Sequence, residues 1–226
     1  MSSGKLDKKN GEFAHHFNDA EHEFKSSIEG VWIFLTSEIL MFGGLFVGFF
    51  IYANMYPDVF KFGSLTTDWR LGALNTAVLL ASSLTMALGI YYCQINNQKL
   101  AVRNLIITVL CGAVFMIVKY FEYTHKIHEG WMPGMWFTGY ETIQHVVGEG
   151  AVIPNNIALY YSFYFMMTGL HGIHVLAGMA LVTWVAIRAN RGEFGPNYYT
   201  PVEGIGLFWH LIDLIWIFLF PLLYLV

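Results

Sequence analysis

The chain has 226 residues, of which 12 are Lys or Arg and 16 are Asp or Glu, so charged residues make up 12%, against about 25% in a soluble domain. Hydrophobic residues make up 56% and aromatic residues 17%; a soluble protein of this length cannot bury so much apolar surface, which predicts a membrane protein. The formal net charge of −4 and the lack of a basic patch argue against nucleic-acid binding.

Five intervals with few or no charges predict the spans, because each supplies the about 20 residues that a membrane-crossing helix needs. Residues 1–27 precede them as a polar tail, with neither the apolar core of a signal peptide nor the character of a transit peptide. Residues 28–226 form the predicted membrane domain, with helices at about 30–54, 71–95, 104–123, 157–188 and 204–225. We therefore expect an all-α fold, a polytopic bundle of five transmembrane helices.

The positive charges predict how this bundle is oriented. Eight Lys and Arg residues lie in the tail and in the second and fourth loops, and three lie on the other side: Lys61, Arg70 and Lys126. Because the side with more positive loops stays inside, the sequence predicts an N-terminus inside and a C-terminus outside.

Charged and imidazole side chains at membrane depth are expensive, so each is a candidate functional residue. Glu38 lies on the first predicted helix, His171 and His174 on the fourth, and His210 and Asp213 on the fifth. At 1.5 Å per residue, Glu38, His174, His210 and Asp213 fall at a similar depth, in the inner half of the membrane. The sequence therefore predicts a polar cluster within the bundle.

Three interpretations of this cluster compete. The groups can simply hold helices together by interhelical hydrogen bonds, or they can form a proton-handling site. The third is a metal or haem site with His171 and His174 as ligands, but a second convergent His pair at matching depth is missing. His125 and His128, in a predicted outer loop at about 124–156, could also touch a metal, although a solvated loop is the ordinary interpretation. We expect no metal site in the chain.

Ordered motifs on all five spans resemble subunit III of the haem–copper oxidases, most closely that of cytochrome c oxidase. The most specific is TGLHGIHVLAG at 168–178 on the fourth helix, followed by WHLIDLIW at 209–216 on the fifth. The others are WIFLTSEILMF at 32–42, NTAVLLASS at 75–83 and FEY at 121–123. Each motif is weak alone, but five in the right order and on the right helices identify the family.

The resemblance implies a non-redox subunit of a bacterial plasma-membrane oxidase, bound beside catalytic subunit I and subunit II. Haem and copper are then expected in those partners, with no cofactor in this chain. Family members hold phospholipid in the bundle and support proton uptake by the catalytic subunit. Glu38 matches the family's buried carboxylate and Arg188 its lipid-headgroup arginine, while Glu122, Glu203 and Trp209 match further motif positions. Many members have two more N-terminal helices, and their lipid cleft lies between those two and the rest.

The leading hypothesis is accessory subunit III of a cytochrome c oxidase, which stabilises the catalytic subunit and supports its proton uptake; Glu rather than Asp at position 38 favours that branch. The alternatives in the same superfamily are subunit III of a quinol oxidase and the related accessory protein of nitric oxide reduction. A hypothesis of another class is an independent proton-coupled transporter. Against it, no helix is obviously broken mid-span and no inverted repeat is evident.

Overall fold

The computed structural model describes residues 20–148, 152–196 and 198–225, with side chains from residue 25 onward. The described chain is helical, with two isolated β-bridges. The helices are α1 (Ala20–Met55), α2 (Pro57–Leu65), α3 (Trp69–Gln94), α4 (Gln98–His128), α5 (Tyr140–Val147), α6 (Ile157–Asn190) and α7 (Thr200–Tyr224), with a 3-10 turn at Gly134–Trp136 between α4 and α5.

Five of these helices are long and apolar enough to cross a membrane, which confirms the number predicted from the sequence. Their spanning segments are Lys25–Met55, Trp69–Gln94, Gln98–His128, Ile157–Asn190 and Thr200–Tyr224. Each contains more than the about 18 to 20 residues that cross the hydrocarbon core. The inside or outside placement of the termini stays a prediction.

The contacts divide the chain into two compact units, and the five long helices contribute a segment to each. The first unit contains the described residues up to Leu40 together with Leu80–Gly112 and Val175–Asp213. The second contains the described residues of Met41–Leu79, Ala113–His174 and the chain from Leu214 onward. Large aromatic side chains fill both cores: Trp209 lies in the first unit, and Trp131, Tyr160, Tyr164 and Trp216 lie in the second.

Local signals fix where several helices begin and end. Pro57 opens α2, because a proline at the first helical position lacks only an N–H that would stay unpaired anyway. Gly130 and Gly192 follow the ends of α4 and α6 with φ of 76° and 75°, a left-handed conformation that glycine adopts without steric cost. The Trp131 N–H then bonds the Lys126 carbonyl at 2.9 Å, and the Glu193 N–H bonds the Arg188 carbonyl at 3.3 Å. Both helices therefore end in Schellman-type caps.

The predicted bounds of two helices, α1 and α4, differ most from the structure. α1 begins at Ala20 rather than near 30, so the end of the predicted polar tail is helical. α4 runs from Gln98 to His128 rather than from 104 to 123. It continues beyond 123 because Lys126 is buried in the protein and therefore does not mark the end of the helix.

The predicted loop at 124–156 also needs correction. Residues up to 128 belong to α4, which places His125 and His128 on a helix, and α5 occupies Tyr140–Val147. Trp131 is 2% exposed beneath this connection, and its indole N–H donates to the Thr142 hydroxyl at 2.9 Å. Most side chains of this segment are exposed, as expected for a solvated connection, but the segment is partly helical and the buried tryptophan packs it against the protein.

Candidate functional site

The first unit contains a polar cluster between α3 and α7, made of Ser82, Ser83, Trp209, His210 and Asp213. The Ser83 hydroxyl and the His210 Nδ1 atom lie 2.7 Å apart, and the Trp209 indole donates to the Ser82 hydroxyl at 3.0 Å. The Ser82 hydroxyl donates to Asp213 Oδ2 at 3.4 Å. We call this set the serine–aspartate cluster.

This cluster contains three of the predicted site residues, Trp209, His210 and Asp213, which lie on α7 and contact serines of α3. His210 and Asp213 contact adjacent serines, so α7 is joined to α3 at two points. The other Asp213 oxygen, Oδ1, is buried and has no hydrogen-bond partner among the described residues. Each such interhelical bond contributes about 0.6 to 2 kcal/mol in a membrane, so the cluster orients the two helices.

Glu38 lies on α1 in the first unit, where its side chain is partly buried. His171 and His174 belong to the second unit, so the five predicted residues do not all fall within one unit. The His171 ring is fully buried between Phe115, at 5.5 Å, and Trp216, at 5.2 Å between ring centroids. His174 instead faces Phe42 at 5.4 Å, and its Nδ1 lies 2.7 Å from the Leu170 carbonyl oxygen.

The two imidazoles on α6 therefore have different surroundings, although they are three residues apart. Among the described residues, no group of three His, Cys, Asp or Glu side chains could hold a metal ion. The absence of a bound metal or haem in this chain stays a prediction.

The second unit contains a buried ionic cluster that sequence reasoning missed, made of Lys119, Glu122, Tyr164 and Tyr224. The Lys119 ammonium donates to Glu122 Oε2 at 2.8 Å, to the Tyr224 hydroxyl at 2.6 Å and to the Tyr164 hydroxyl at 3.3 Å. Tyr224 in turn donates to Glu122 Oε1 at 2.8 Å. We call this set the lysine–glutamate cluster.

Its members hold α4, α6 and α7 together within the second unit. Both charged side chains are at most 7% exposed, and a buried pair is tolerated only when its donors and acceptors are satisfied. The sequence predicted Glu122 only as a motif position and gave Lys119 no role. The available signal was the spacing of three between a lysine and a glutamate inside an apolar run.

Lys126 also needs correction, because it was counted as a positive charge of an outer loop. It lies in the last turn of α4 and is 3% exposed. Its ammonium faces the rings of Trp131 at 5.4 Å, Tyr161 at 5.9 Å and Tyr164 at 4.8 Å. Aromatic faces attract a cation, so the lysine is held inside the protein rather than in solvent.

The remaining predicted residues lie at the start of α7 and the end of α6. Glu203 is in the first turn of α7, where a carboxylate interacts favourably with the helix dipole. Arg188 is in the last turn of α6, and its Nε donates to Glu193 Oε2 at 2.6 Å. The guanidinium also stacks over Trp184 at 4.8 Å and Phe194 at 5.1 Å, so an intramolecular carboxylate already engages it.

The first unit also contains an apolar groove of about 370 Å³. Its walls come from α1, through Val31 and Phe34, and from the start of α7, with Leu181 and Tyr198 closing it. The groove is joined to Arg188 through aromatic contacts, since the Tyr198 ring lies 5.8 Å from that of Phe194.

Comparison with known proteins places this arrangement in a family. The model of the family described as cytochrome c oxidase subunit III matches residues 11–151 and 132–226. A protein named "Probable quinol oxidase subunit 3" from Staphylococcus saprophyticus is 29% identical over 217 residues, covering 94% of this chain and 95% of that protein. Proteins of the same name from Staphylococcus haemolyticus and Staphylococcus aureus are 30% and 28% identical, each over 91% of both chains. The chain belongs to the subunit III family of the haem–copper oxidases, which confirms the resemblance seen in the motifs.

Proposed function

We propose that this member of the family is the non-redox subunit III of a quinol-oxidising haem–copper oxidase in a bacterial plasma membrane. The single observation that carries the choice is that the similar proteins named above match end to end and bear the name quinol oxidase subunit 3. This favours the alternative over the cytochrome c branch, because a single glutamate at position 38 carries less weight than similarity over nine-tenths of the chain.

The identity of the electron donor is tested by measuring the turnover of the oxidase complex that co-purifies with this subunit. The complex should oxidise a reduced quinone analogue, and its second subunit should lack the cysteine pair of a CuA centre. Turnover with reduced cytochrome c, together with a CuA spectrum, would place the protein in the cytochrome c branch instead.

The proposed role is to stabilise the catalytic subunit through the apolar outer faces of the helices. In the most apolar window of α1, only 17% of residues are buried within the chain, and Ile33 and Leu40 are 73% and 71% exposed. Such a face needs lipid or another membrane subunit to cover it. Haem and copper belong to the partner subunits in this proposal, and this chain contributes no redox centre.

We also propose that Arg188 and the neighbouring groove hold a phospholipid. The groove offers apolar walls for an acyl chain, and a guanidinium can bind a phosphate by paired hydrogen bonds. Glu193 competes for that guanidinium, which gives a sharp test by lipid mass spectrometry of the purified complex. Arg188→Ala should lose one lipid while Glu193→Gln keeps it, with Arg191→Ala as the matched control. Equal lipid retention in all variants would contradict the proposal.

The third part of the proposal is that Glu38 supports sustained proton uptake by the catalytic subunit. It is supported by the position of this carboxyl group within the spanning segment of α1, where an ionisable group is costly to keep without a role. Glu38→Gln keeps the shape but cannot ionise. It should assemble with full haem content and turn over more slowly than wild type at alkaline pH. Wild-type turnover of Glu38→Gln across pH, with loss of the partner in Glu38→Ala, would show a structural role instead.

A further inference from the structure

Lys126 is a buried ammonium whose hydrogen-bonding needs are not met within the described chain. The residue is 3% exposed, and among the described residues its nitrogen faces three aromatic rings but makes no hydrogen bond. Glu122, one turn earlier on α4, is occupied by Lys119 and Tyr224. An ammonium has three donors, and a buried charge without an acceptor is costly, so an acceptor from outside the described chain is expected here.

Lys126 lines a half-enclosed cavity of about 350 Å³ in the second unit. Leu71 and Phe121 contribute apolar walls, and His125 and Trp131 lie on the same cavity. The walls are held by the protein itself, since the Trp131 indole is bonded to Thr142. The space is therefore built before any ligand enters, as binding sites usually are.

The charges around the cavity favour an anionic group. Two buried lysines, Lys119 and Lys126, face one buried carboxylate, Glu122, which is paired with Lys119, so the interior carries an excess of positive charge. Asp68 also lines the cavity, but it is exposed at the rim and its Oδ1 accepts the Arg70 N–H at 2.9 Å. His125, which is exposed, adds a second potential donor beside the ammonium.

The position along the helix indicates which anion fits. Lys126 is in the final turn of a spanning segment that ends at His128, the level at which lipid headgroups meet the protein. Phe121, five residues earlier on α4, is 66% exposed on the apolar flank. A ligand with a negatively charged head and apolar chains fits this arrangement, with its head at Lys126 and its chains along the apolar flank at Phe121.

We propose that this cavity binds the phosphodiester headgroup of a membrane phospholipid, with the Lys126 ammonium as its buried donor and His125 at the rim. The acyl chains lie along Phe121 and Leu71 on the flank of the second unit. This site is distinct from Arg188 and its groove, which belong to the first unit, and it does not depend on which electron donor the oxidase uses.

The test uses the purified oxidase complex, depleted of lipid with detergent and titrated with palmitoyl-oleoyl phosphatidylglycerol under native mass spectrometry. Lys126→Met keeps the side-chain volume and removes the charge and all donors. It should require about tenfold or more lipid to fill one site, because a hydrogen bond to a charged group contributes on that scale. Lys61→Met makes the same substitution at an exposed position in the same unit, and should bind lipid as wild type does.

Equal lipid affinity in Lys126→Met and wild type would overturn the proposal, as would an equal loss in Lys61→Met. Two further arms identify the source of the anion. Dioleoylglycerol, which lacks the phosphate, should not fill the site. Millimolar inorganic phosphate should not displace the lipid; displacement would show a free-anion site and contradict the headgroup assignment.

A labelling experiment on the wild-type complex covers the case in which Lys126→Met does not assemble. A phospholipid with a photoreactive group on its headgroup should label the peptide spanning residues 121–131. Labelling confined to other peptides would contradict the proposal, and it would point to a carboxylate of a partner subunit as the acceptor for Lys126.

Discussion

The buried pair of Lys119 and Glu122 gives the sharpest prediction about stability. At 2.8 Å and an effective dielectric constant of about 20, the attraction between two unit charges is about 6 kcal/mol. Most of it offsets the cost of removing both charges from water. Removing one partner therefore leaves the other charge uncompensated, and we expect a loss of about 3 to 5 kcal/mol in the free energy of unfolding for either single variant.

The two single variants are Lys119→Met and Glu122→Gln, and the critical variant combines them. The glutamine retains an oxygen that can accept from Tyr224, and the double variant leaves neither Lys119 nor Glu122 as a buried charge without its partner. It should be more stable than either single variant, which is the reverse of additive behaviour. Equilibrium unfolding by sodium dodecyl sulfate in mixed micelles, followed by far-ultraviolet circular dichroism, measures all three.

The exposed pair of Arg188 and Glu193 provides the control. Its side chains are 26% and 34% exposed, and pairs accessible to water contribute at most about 1 kcal/mol. Glu193→Gln should therefore change the free energy of unfolding by less than about 1 kcal/mol. The reasoning is refuted if the Lys119 and Glu122 single variants cost no more than this control, or if their effects simply add in the double variant.

Three further predictions concern packing, cofactors and orientation. Gly178→Ala should lower the thermal stability of the complex, because the new Cβ would lie 2.9 Å from the buried Trp209 ring and overpacking costs about 1 to 3 kcal/mol; Gly172→Ala, with open space around it, should not. The singly expressed chain should show no Soret band; such a band, lost on changing His171 or His174, would contradict this. Protease added outside intact cells should leave the N-terminal tail uncut, since the charge distribution places it inside; cleavage there would reverse the orientation.

The sequence was sufficient for the architecture because spanning a membrane imposes a one-dimensional constraint. Long intervals without charge predict spans wherever they occur, and the structure has five long apolar helices at those places. The boundaries were less accurate at α4, where Lys126 lies inside the helix beyond the predicted end. A lysine in a sequence indicates water or the membrane interface, unless the fold supplies a carboxylate or aromatic rings to compensate its charge.

The candidate sites also contain residues that the sequence predicted and partners that it did not. His210 and Asp213 could be selected from the sequence because an ionisable residue in an apolar run is conspicuous, but their partners Ser82 and Ser83 could not, since serines are common in membrane helices for packing alone. The lysine–glutamate cluster depends on Tyr224, which is 102 residues from Glu122 along the chain. No local pattern encodes such a contact.

By itself, then, the sequence determined the membrane class, the number of spans and, through ordered motifs, the family. Those properties follow from hydropathy and from residue order along the chain. Only the tertiary structure decided that Lys119 pairs with Glu122, that Lys126 is buried under Trp131, and that His171 and His174 have different surroundings. The physical reason is that a buried charge is compensated by the neighbours that packing brings together, and in this fold Tyr164 of α6 and Tyr224 of α7 complete the pair that α4 supplies.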